Sequence, residues 1–271
     1  MIEESYRVID AHCHIYPDKI AERAVHGTDE FYHLHSLFDG KVSTLHARGN
    51  AAGVDHFVVQ SVATSPAQVA SINHFIADSV AASNGTMTGL GTLHPASDDF
   101  RRDVEQVLAL NLHGVKLHPD IQQFAIDDPA CDDIYALCSE ADLPILMHMG
   151  DRRFAYSHPR QLLDVMKRFP RLRVCGAHLG GWSVWKEAVD LLAGTPNLFV
   201  DTCSSFAWLT QSDAYRIIRA YGADRVMFGT DYPMWDAQKE LEFLTALPLA
   251  EDEKRQILSE NACALWRIDA N

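Results

Sequence analysis

Short apolar runs rich in Val, Ile and Leu recur along the 271-residue chain, and each is followed by a polar stretch with helical periodicity. This alternation is typical of βα units that build a parallel sheet. No segment rich in Pro, Gly or Ser interrupts the series. We therefore predict one domain, residues 1–271, folded as a closed (β/α)8 TIM barrel. The predicted strands are 7–11, 55–61, 88–93, 114–117, 144–147, 173–177, 198–201 and 225–229.

An open doubly wound sheet is the structural alternative, but no GxGxxG-like turn follows the first strand. Residues 15–43 form a long connection after that strand, and loops of this length are often functional lids. Terminal helices are expected within 251–268, covering the outside or the bottom of the barrel. Amphipathic helices are predicted at 65–83, 98–110, 158–169 and 212–222.

Composition narrows the classes of partner. Hydrophobic residues make up 47% of the chain and charged residues 22%, which is typical of a globular protein. The net charge of −14, without a basic stripe, argues against nucleic acid. No apolar run approaches the length of a membrane span, and no leader-like segment opens the chain, so a cytoplasmic location and a small-molecule substrate are expected. The six cysteines form no CxxC pair and are interpreted as reduced thiols.

Histidine is unusually frequent, with 14 residues, and it gathers where the predicted strands end. In a TIM barrel these ends form the mouth that carries the active site. The strand-end residues, in chain order, are His12 and His14, Gln60, His94, His118, His148, His178, Asp201 and Asp231.

The first strand offers the most specific pattern, Asp-Ala-His-Cys-His. Residues two apart in a strand face the same side, so Asp10, His12 and His14 are expected to point together. Two neighbouring imidazoles suit Zn²⁺, with Mn²⁺ or Fe²⁺ as alternatives. Asp10, one step deeper, is expected to orient a ligating histidine.

Three later residues belong to the same predicted active site, two of them as metal ligands. His148 is the expected third ligand, and Asp231 is the expected fourth ligand, which also takes a proton from water. His178, flanked by two glycines, is interpreted as a general acid or base.

The motifs DAHCH at 10–14, His148, AHLGG at 177–181 and GTDYP at 229–233 resemble the amidohydrolase superfamily. They are most similar to the amidohydrolase-related branch that includes aminocarboxymuconate-semialdehyde decarboxylase. The resemblance implies one divalent metal, commonly zinc, held by residues matching His12, His14, His148 and Asp231. It also implies a catalytic acid/base at His178 and a dimer.

The fourth strand fits this pattern less well. Lys116 and His118 share one face, and binuclear amidohydrolases use a carboxylated lysine here to bridge two metals. One metal, with His118 contacting substrate, is the preferred interpretation. His94 is a further candidate for lining the pocket.

Three functions remain open. A metal-activated water would hydrolyse an amide, lactone or ester bond, which is the preferred prediction. The same site would serve a decarboxylase of an unsaturated or aromatic acid, with Arg152 and Arg153 gripping the substrate carboxylate in either case. A catalytically inactive metal-binding barrel is the third possibility.

Overall fold

A parallel barrel forms the centre of the computed structural model, which describes residues 6–269. The predicted (β/α)8 fold is confirmed. The strands are β1 Ile9–His14, β2 His56–Gln60, β3 Met87–Gly89, β4 Gly91–Thr92, β5 Val115–Leu117, β6 Ile145–Met147, β7 Val174–Gly176, β8 Leu198–Asp201 and β9 Val226–Met227.

Two of these segments, β3 and β4, together occupy the position of the third barrel strand and are interrupted at Leu90. β3 pairs with β2, and β4 pairs with β5. The barrel closes between its first and last strands, where the Ala11 amide donates to the Phe228 carbonyl at 2.9 Å and the His14 amide to the Tyr232 carbonyl at 2.7 Å. Closure brings the end of β1 beside the turn that follows β9.

The helices are α1 Asp18–Tyr32, α2 Val42–Ala52, α3 Val69–Ala81, α4 Phe100–Ala109, α5 Pro119–Gln122, α6 Asp132–Glu140, α7 Pro159–Arg168, α8 Trp185–Leu192, α9 Gln211–Tyr221, α10 Ala237–Thr245, α11 Glu251–Arg255 and α12 Asn261–Trp266. A π-helical turn, Gln256–Glu260, joins the last two. Polar side chains cap several of them; Asp99 and Thr210 accept from backbone amides at the starts of α4 and α9.

The connection 15–43 contains the helix α1, although it was predicted only as a long connection. Pro17 precedes this helix and Asp18 lies in its first turn, a favourable placement for a helix start. α1 leaves the end of β1, and its last residue, Tyr32, contacts His118 and His148 on other strand ends. The helix therefore crosses the mouth of the barrel as a lid.

Inside the barrel, a buried apolar cluster includes Ile9, Leu90 and Leu146, and it continues into Leu265 and Trp266 of α12. The terminal helix thus plugs the bottom, as predicted for 251–268. A second cluster lies between the strands and the outer helices. No helix within residues 6–269 is both long and apolar enough to cross a membrane.

Candidate metal centre

Three predicted ligands converge at the mouth of the barrel. His12 Nε2 lies 3.2 Å from His14 Nε2. Asp231 Oδ1 lies 3.4 Å from the first of these nitrogens and 3.5 Å from the second. Ligands at about 2.0–2.1 Å from a tetrahedral Zn²⁺ lie about 3.3 Å apart. The spacing therefore fits one divalent metal with three protein ligands.

The tautomer of His12 also fits a ligand. Its Nδ1 lies 2.8 Å from Asp201 Oδ2, in the buried interior. A carboxylate cannot donate, so Nδ1 carries a hydrogen, and Nε2 is the nitrogen that faces the other ligands. This carboxylate–histidine pair is the arrangement that usually orients a metal-binding imidazole. Burial lowers the pKa of His14 well below its usual value, which favours the neutral imidazole that a metal ligand requires.

Asp10 does not have the role predicted for it. Between Asp10 and Cys13 the register of β1 against β2 shifts, because β1 carries one extra residue. This bulge breaks the two-residue period, so Asp10 leaves the face of His12 and His14. Its carboxylate accepts from the Thr230 amide at 2.9 Å and the Thr230 hydroxyl at 2.6 Å, and from the backbone amide of His12 at 3.2 Å. Asp10 therefore supports the backbone beneath the site, and Asp201 orients the imidazole.

Asp231 is tightly held. Its Oδ2 accepts from Ser204 Oγ at 2.6 Å, and Ser204 is in turn fixed by the Trp235 indole at 2.8 Å. Burial raises the pKa of Asp231, but attraction to His12 and the hydrogen bond from Ser204 act in the opposite direction, so this pKa lies below its usual range. One carboxylate oxygen thus faces the metal ligands, while the other is occupied.

Lys116 reaches the same centre from β5. The side chain is fully buried, and its Nζ lies 3.2 Å from His12 Nε2. Burial lowers the pKa of its amine, although nearby carboxylates such as Asp231 oppose the effect.

His148 and His178 form a pair of imidazoles. His178 Nδ1 lies 3.1 Å from the Cys203 carbonyl, which can only accept, so this nitrogen carries the hydrogen. With burial lowering its pKa to about 4, His178 is neutral and its Nε2 accepts. The His148 Nδ1, 2.9 Å away, must then be the donor. One backbone carbonyl thereby fixes the tautomers of both rings.

The predicted ligand His148 does not join the His12 group in this arrangement. Within the described residues it forms no hydrogen bond or ion pair with His14 or Asp231. Its Nε2 instead lies 3.4 Å from both Asp120 Oδ2 and the Tyr32 hydroxyl.

His118, which follows β5, stacks on His148 with ring centroids 3.8 Å apart. Its Nε2 lies 2.7 Å from the Tyr32 hydroxyl. His118 Nδ1 accepts from the Ile121 amide at 3.3 Å, and burial lowers the pKa of His118 well below its usual value. The neutral ring therefore carries its hydrogen on Nε2 and donates it to the Tyr32 hydroxyl. The end of α1 is thereby fastened over the site.

A cavity of about 980 Å³ opens above these groups, between α1 and the start of α3. Besides the strand-end side chains, its walls include apolar residues of the two helices and two cations of α1. The apolar residues are Ile20, Phe31, Ile72 and Phe75, and the cations are Lys19 and Arg23.

Three predicted substrate contacts lie outside this cavity. The Arg153 guanidinium forms two-pronged hydrogen bonds with Asp151 and donates to the Phe31 carbonyl at 2.8 Å, so its donors are used within the protein. Arg152 is exposed and bonds Ser183. His94 accepts from the Ala96 amide at 3.1 Å in a turn of its own. The structure engages each of these side chains elsewhere, so their roles in substrate binding stay predictions.

Sequence reasoning missed the roles of Asp201 and Tyr32. Asp201 ends an apolar strand, which is a usable signal, but nothing in the sequence pairs it with His12. Tyr32 stood out only as an aromatic residue within 15–43. Its neighbour Phe31 also lines the cavity, whereas His33 and His35 are exposed.

Comparison with known proteins gives consistent matches. A family model described as Amidohydrolase matches residues 9–268. The γ-resorcylate decarboxylase of Rhodococcus jostii (strain RHA1) is 27% identical over 129 residues, which cover 46% of this chain and 34% of that protein. The chain thus matches about a third of the length of this curated relative.

Two solved structures share the fold. The 5-carboxyvanillate decarboxylase of Sphingomonas paucimobilis superposes with a TM-score of 0.75 at 18% identity, covering 98% of this chain and 100% of that one. A dihydroxybenzoic acid decarboxylase from Polaromonas sp. JS666, with bound manganese and the inhibitor 2-nitroresorcinol, superposes with a TM-score of 0.73 at 14% identity, covering 98% of each chain.

Proposed function

Because the chain belongs to the amidohydrolase family, we propose that it is a metal-dependent decarboxylase of an aromatic or unsaturated carboxylic acid. The sequence alone favoured hydrolysis. The activity named for the curated relative and the geometry of the site favour decarboxylation over hydrolysis.

The state of Asp231 is the observation that carries this proposal. Hydrolysis, as predicted from the sequence, needs this carboxylate to accept a proton from water. Its two oxygens are engaged, one facing His12 and His14 and the other accepting from Ser204. Decarboxylation does not require this proton transfer.

His12, His14 and Asp231 would hold the metal. When bound, a divalent ion supplies positive charge that binds an anionic substrate and stabilises charge that develops during reaction. Zn²⁺ fits the observed spacing, and Mn²⁺ is the alternative because the structural neighbour from Polaromonas holds manganese.

The His148–His178 pair would relay a proton from solvent, because both rings are neutral at rest. Decarboxylation breaks the bond from the carboxyl carbon to its neighbouring carbon, and the electron pair stays on that neighbour as carbon dioxide leaves. The neighbour then takes one proton, which balances the reaction. Both rings line the cavity, and their shared hydrogen lies between nitrogens 2.9 Å apart. The proton would enter the pair from solvent and pass on to the carbon, which leaves both rings neutral after each turnover.

The cavity walls suit such a substrate. Phe31, Phe75 and Ile72 offer apolar surface to an aromatic ring. Lys19 and Arg23 place two positive charges on the lid, despite the acidic character of the whole chain. These cations would attract a carboxylate into the cleft.

Product analysis on a panel of acids tests the proposal. We expect 2,6-dihydroxybenzoate or 5-carboxyvanillate to release carbon dioxide, and in D₂O the vacated carbon should carry deuterium. His178→Gln should lower turnover by at least about 100-fold without lowering metal content. His26→Gln, on the exposed side of α1, is the matched control and should keep full activity.

Hydrolysis remains the second candidate, and one feature favours it. The Lys116 amine, whose pKa is lowered, lies at the centre and could take a proton from water in place of Asp231. Product that incorporates ¹⁸O from labelled water, without carbon dioxide, would establish hydrolysis and reject decarboxylation. Turnover of either kind would exclude an inactive barrel. The predicted dimer and cytoplasmic location stay predictions.

A further inference from the structure

We propose that the substrate carries a long apolar substituent, which lies in the cleft between α1 and α3 and leads away from the metal centre. This inference rests on the proposed function, because it describes the acid that the same site would accept. The cavity measures about 980 Å³. A cavity of about 150 Å³ holds benzene, so one aromatic ring with its carboxylate would leave most of the space unfilled.

The cavity extends beyond the mouth of the barrel along α3. The face of this helix that packs on the strands carries the buried residues Val69, Asn73 and Ile76. The cavity instead lies against another side of α3, from Ser71 to Asp78, which is about 10 Å of helix at the usual rise per residue. It therefore continues outside the barrel rather than ending at the metal centre.

The helix α1 forms the opposite wall over most of its length. Its last residue, Tyr32, marks the inner end of the cavity, because the phenol contacts His118 at the barrel mouth. Lys19, which also lines the cavity, lies about 20 Å before Tyr32 along the helix axis. A ring bound at the metal centre would therefore occupy only the inner end.

Apolar side chains line both walls of this cleft. Ile20 and Ala24 belong to α1, and Ile72 and Phe75 belong to α3. Each of the four is only half-buried, so apolar surface remains exposed in the cleft. An apolar chain of the ligand would cover this surface and leave water itself, which is favourable on both sides. The walls therefore suit an alkyl chain.

Gly27 keeps the cleft open. It lies in the interior of α1, where glycine stabilises a helix less than any residue except proline. A Cβ added at Gly27 would have no heavy atom of the described residues within 4 Å, so packing does not require the glycine. Gly27 nevertheless lines the cavity. The missing side chain therefore leaves the width that a long substituent needs, and Gly27 determines this specificity.

Binding of a short and a long acid tests the inference. Benzoate and 4-heptylbenzoate are titrated into the zinc-loaded protein by isothermal titration calorimetry. Both lack the ring hydroxyls that activate such acids toward loss of carbon dioxide, so binding is measured without turnover. Burial of the chain should make 4-heptylbenzoate bind at least about 100-fold more tightly than benzoate. In Gly27→Leu the new side chain occupies the cleft, so this gain should fall below about tenfold, while benzoate binds as in the wild type.

Two further variants complete the experiment. His26→Leu is the matched control, because it adds the same side chain one position earlier, on the exposed side of α1 and outside the cavity, and it should keep the full gain. Ala24→Leu, one turn before Gly27 on the same wall, should also lose the gain, which covers the case in which Gly27→Leu fails to fold. Equal affinity for the two acids, binding of neither, or a gain that both cleft variants retain would overturn the inference. Each of these results leaves the decarboxylase proposal to its own test, which is the release of carbon dioxide from the panel of acids.

Discussion

Replacing Asp201 with Asn should weaken metal binding, although Asp201 contacts a predicted ligand, His12, rather than the metal. The Asp201 carboxylate serves four donors. Oδ2 faces His12 Nδ1 at 2.8 Å and the Cys175 thiol at 3.7 Å, while Oδ1 accepts from the His178 amide and the Cys203 thiol, both at 2.9 Å. Asparagine has one acceptor oxygen and presents an NH₂ group in place of the other. At least one of these donors must therefore face the NH₂ group of the asparagine instead of an acceptor.

The magnitude follows from which contact is lost. If the amide oxygen stays with the His178 amide, His12 loses the partner that fixes its tautomer, and affinity for Zn²⁺ should fall about 10- to 100-fold. A buried donor left without an acceptor should also lower the free energy of unfolding by about 1–3 kcal/mol. Asp201 is fully buried, with a pKa lowered to about 2 because His12 outweighs the effect of burial, so solvent cannot replace the lost contact.

The assay is Zn²⁺ competition with a chromophoric chelator, paired with urea unfolding of the metal-free protein. Asp10→Asn is the matched control, because this equally buried carboxylate contacts backbone and Thr230 rather than an imidazole. It should lose stability but keep affinity within a few fold. The reasoning is refuted if Asp201→Asn binds Zn²⁺ as the wild type does, or if Asp10→Asn loses more affinity than Asp201→Asn.

Three further predictions concern pH, backbone geometry and substrate binding. Burial lowers the pKa of His56 from 6.5 to about 4, so the unfolded state takes up the His56 proton before the folded state does as pH falls. Between pH 6.5 and 4 the free energy of unfolding, measured by urea titration, should therefore drop by about 3 kcal/mol more in the wild type than in His56→Gln. Gly150→Ala should lower the free energy of unfolding by about 3 kcal/mol in the same assay, because the φ of Gly150 is +83° and an added Cβ would lie 2.4 Å from backbone. Gly85→Ala, with φ +82° and open space around the Cβ, should lower it by about 1 kcal/mol. Equal losses would contradict this reasoning. In steady-state kinetics, Arg23→Gln should raise KM for an acidic substrate about tenfold, whereas Arg152→Gln should leave it unchanged. The reverse pattern would indicate that Arg152 binds the substrate carboxylate, as the sequence predicts.

Much of the fold could be predicted from the sequence because its signals are local. A buried parallel strand requires a short apolar run, and a covering helix requires an apolar stripe of its own. Predicted strand positions consequently agree with the structure to within a few residues, apart from the break at Leu90. The helix α1 was missed because 15–43 was interpreted as one long connection, although its segment Asp18–Tyr32 is amphipathic.

The candidate site could be predicted in part. His12, His14 and Asp231 were brought together correctly, since parallel strand ends must meet at one mouth. His148 and His178 are at that mouth too, but they face each other. Arg152 and Arg153 were expected in the pocket because they follow a strand end, and Asp151 and Ser183 hold them outside it.

The sequence by itself determined the barrel and the collection of histidines and carboxylates at its mouth, because strand period and chain order are properties of neighbouring residues. Only the tertiary structure decided which carboxylate serves which histidine. One extra residue in β1 turns Asp10 away from His12, and closure of the barrel brings Asp201 from β8 to replace it. Such a pairing depends on side-chain direction across residues nearly two hundred positions apart, and no local pattern encodes it.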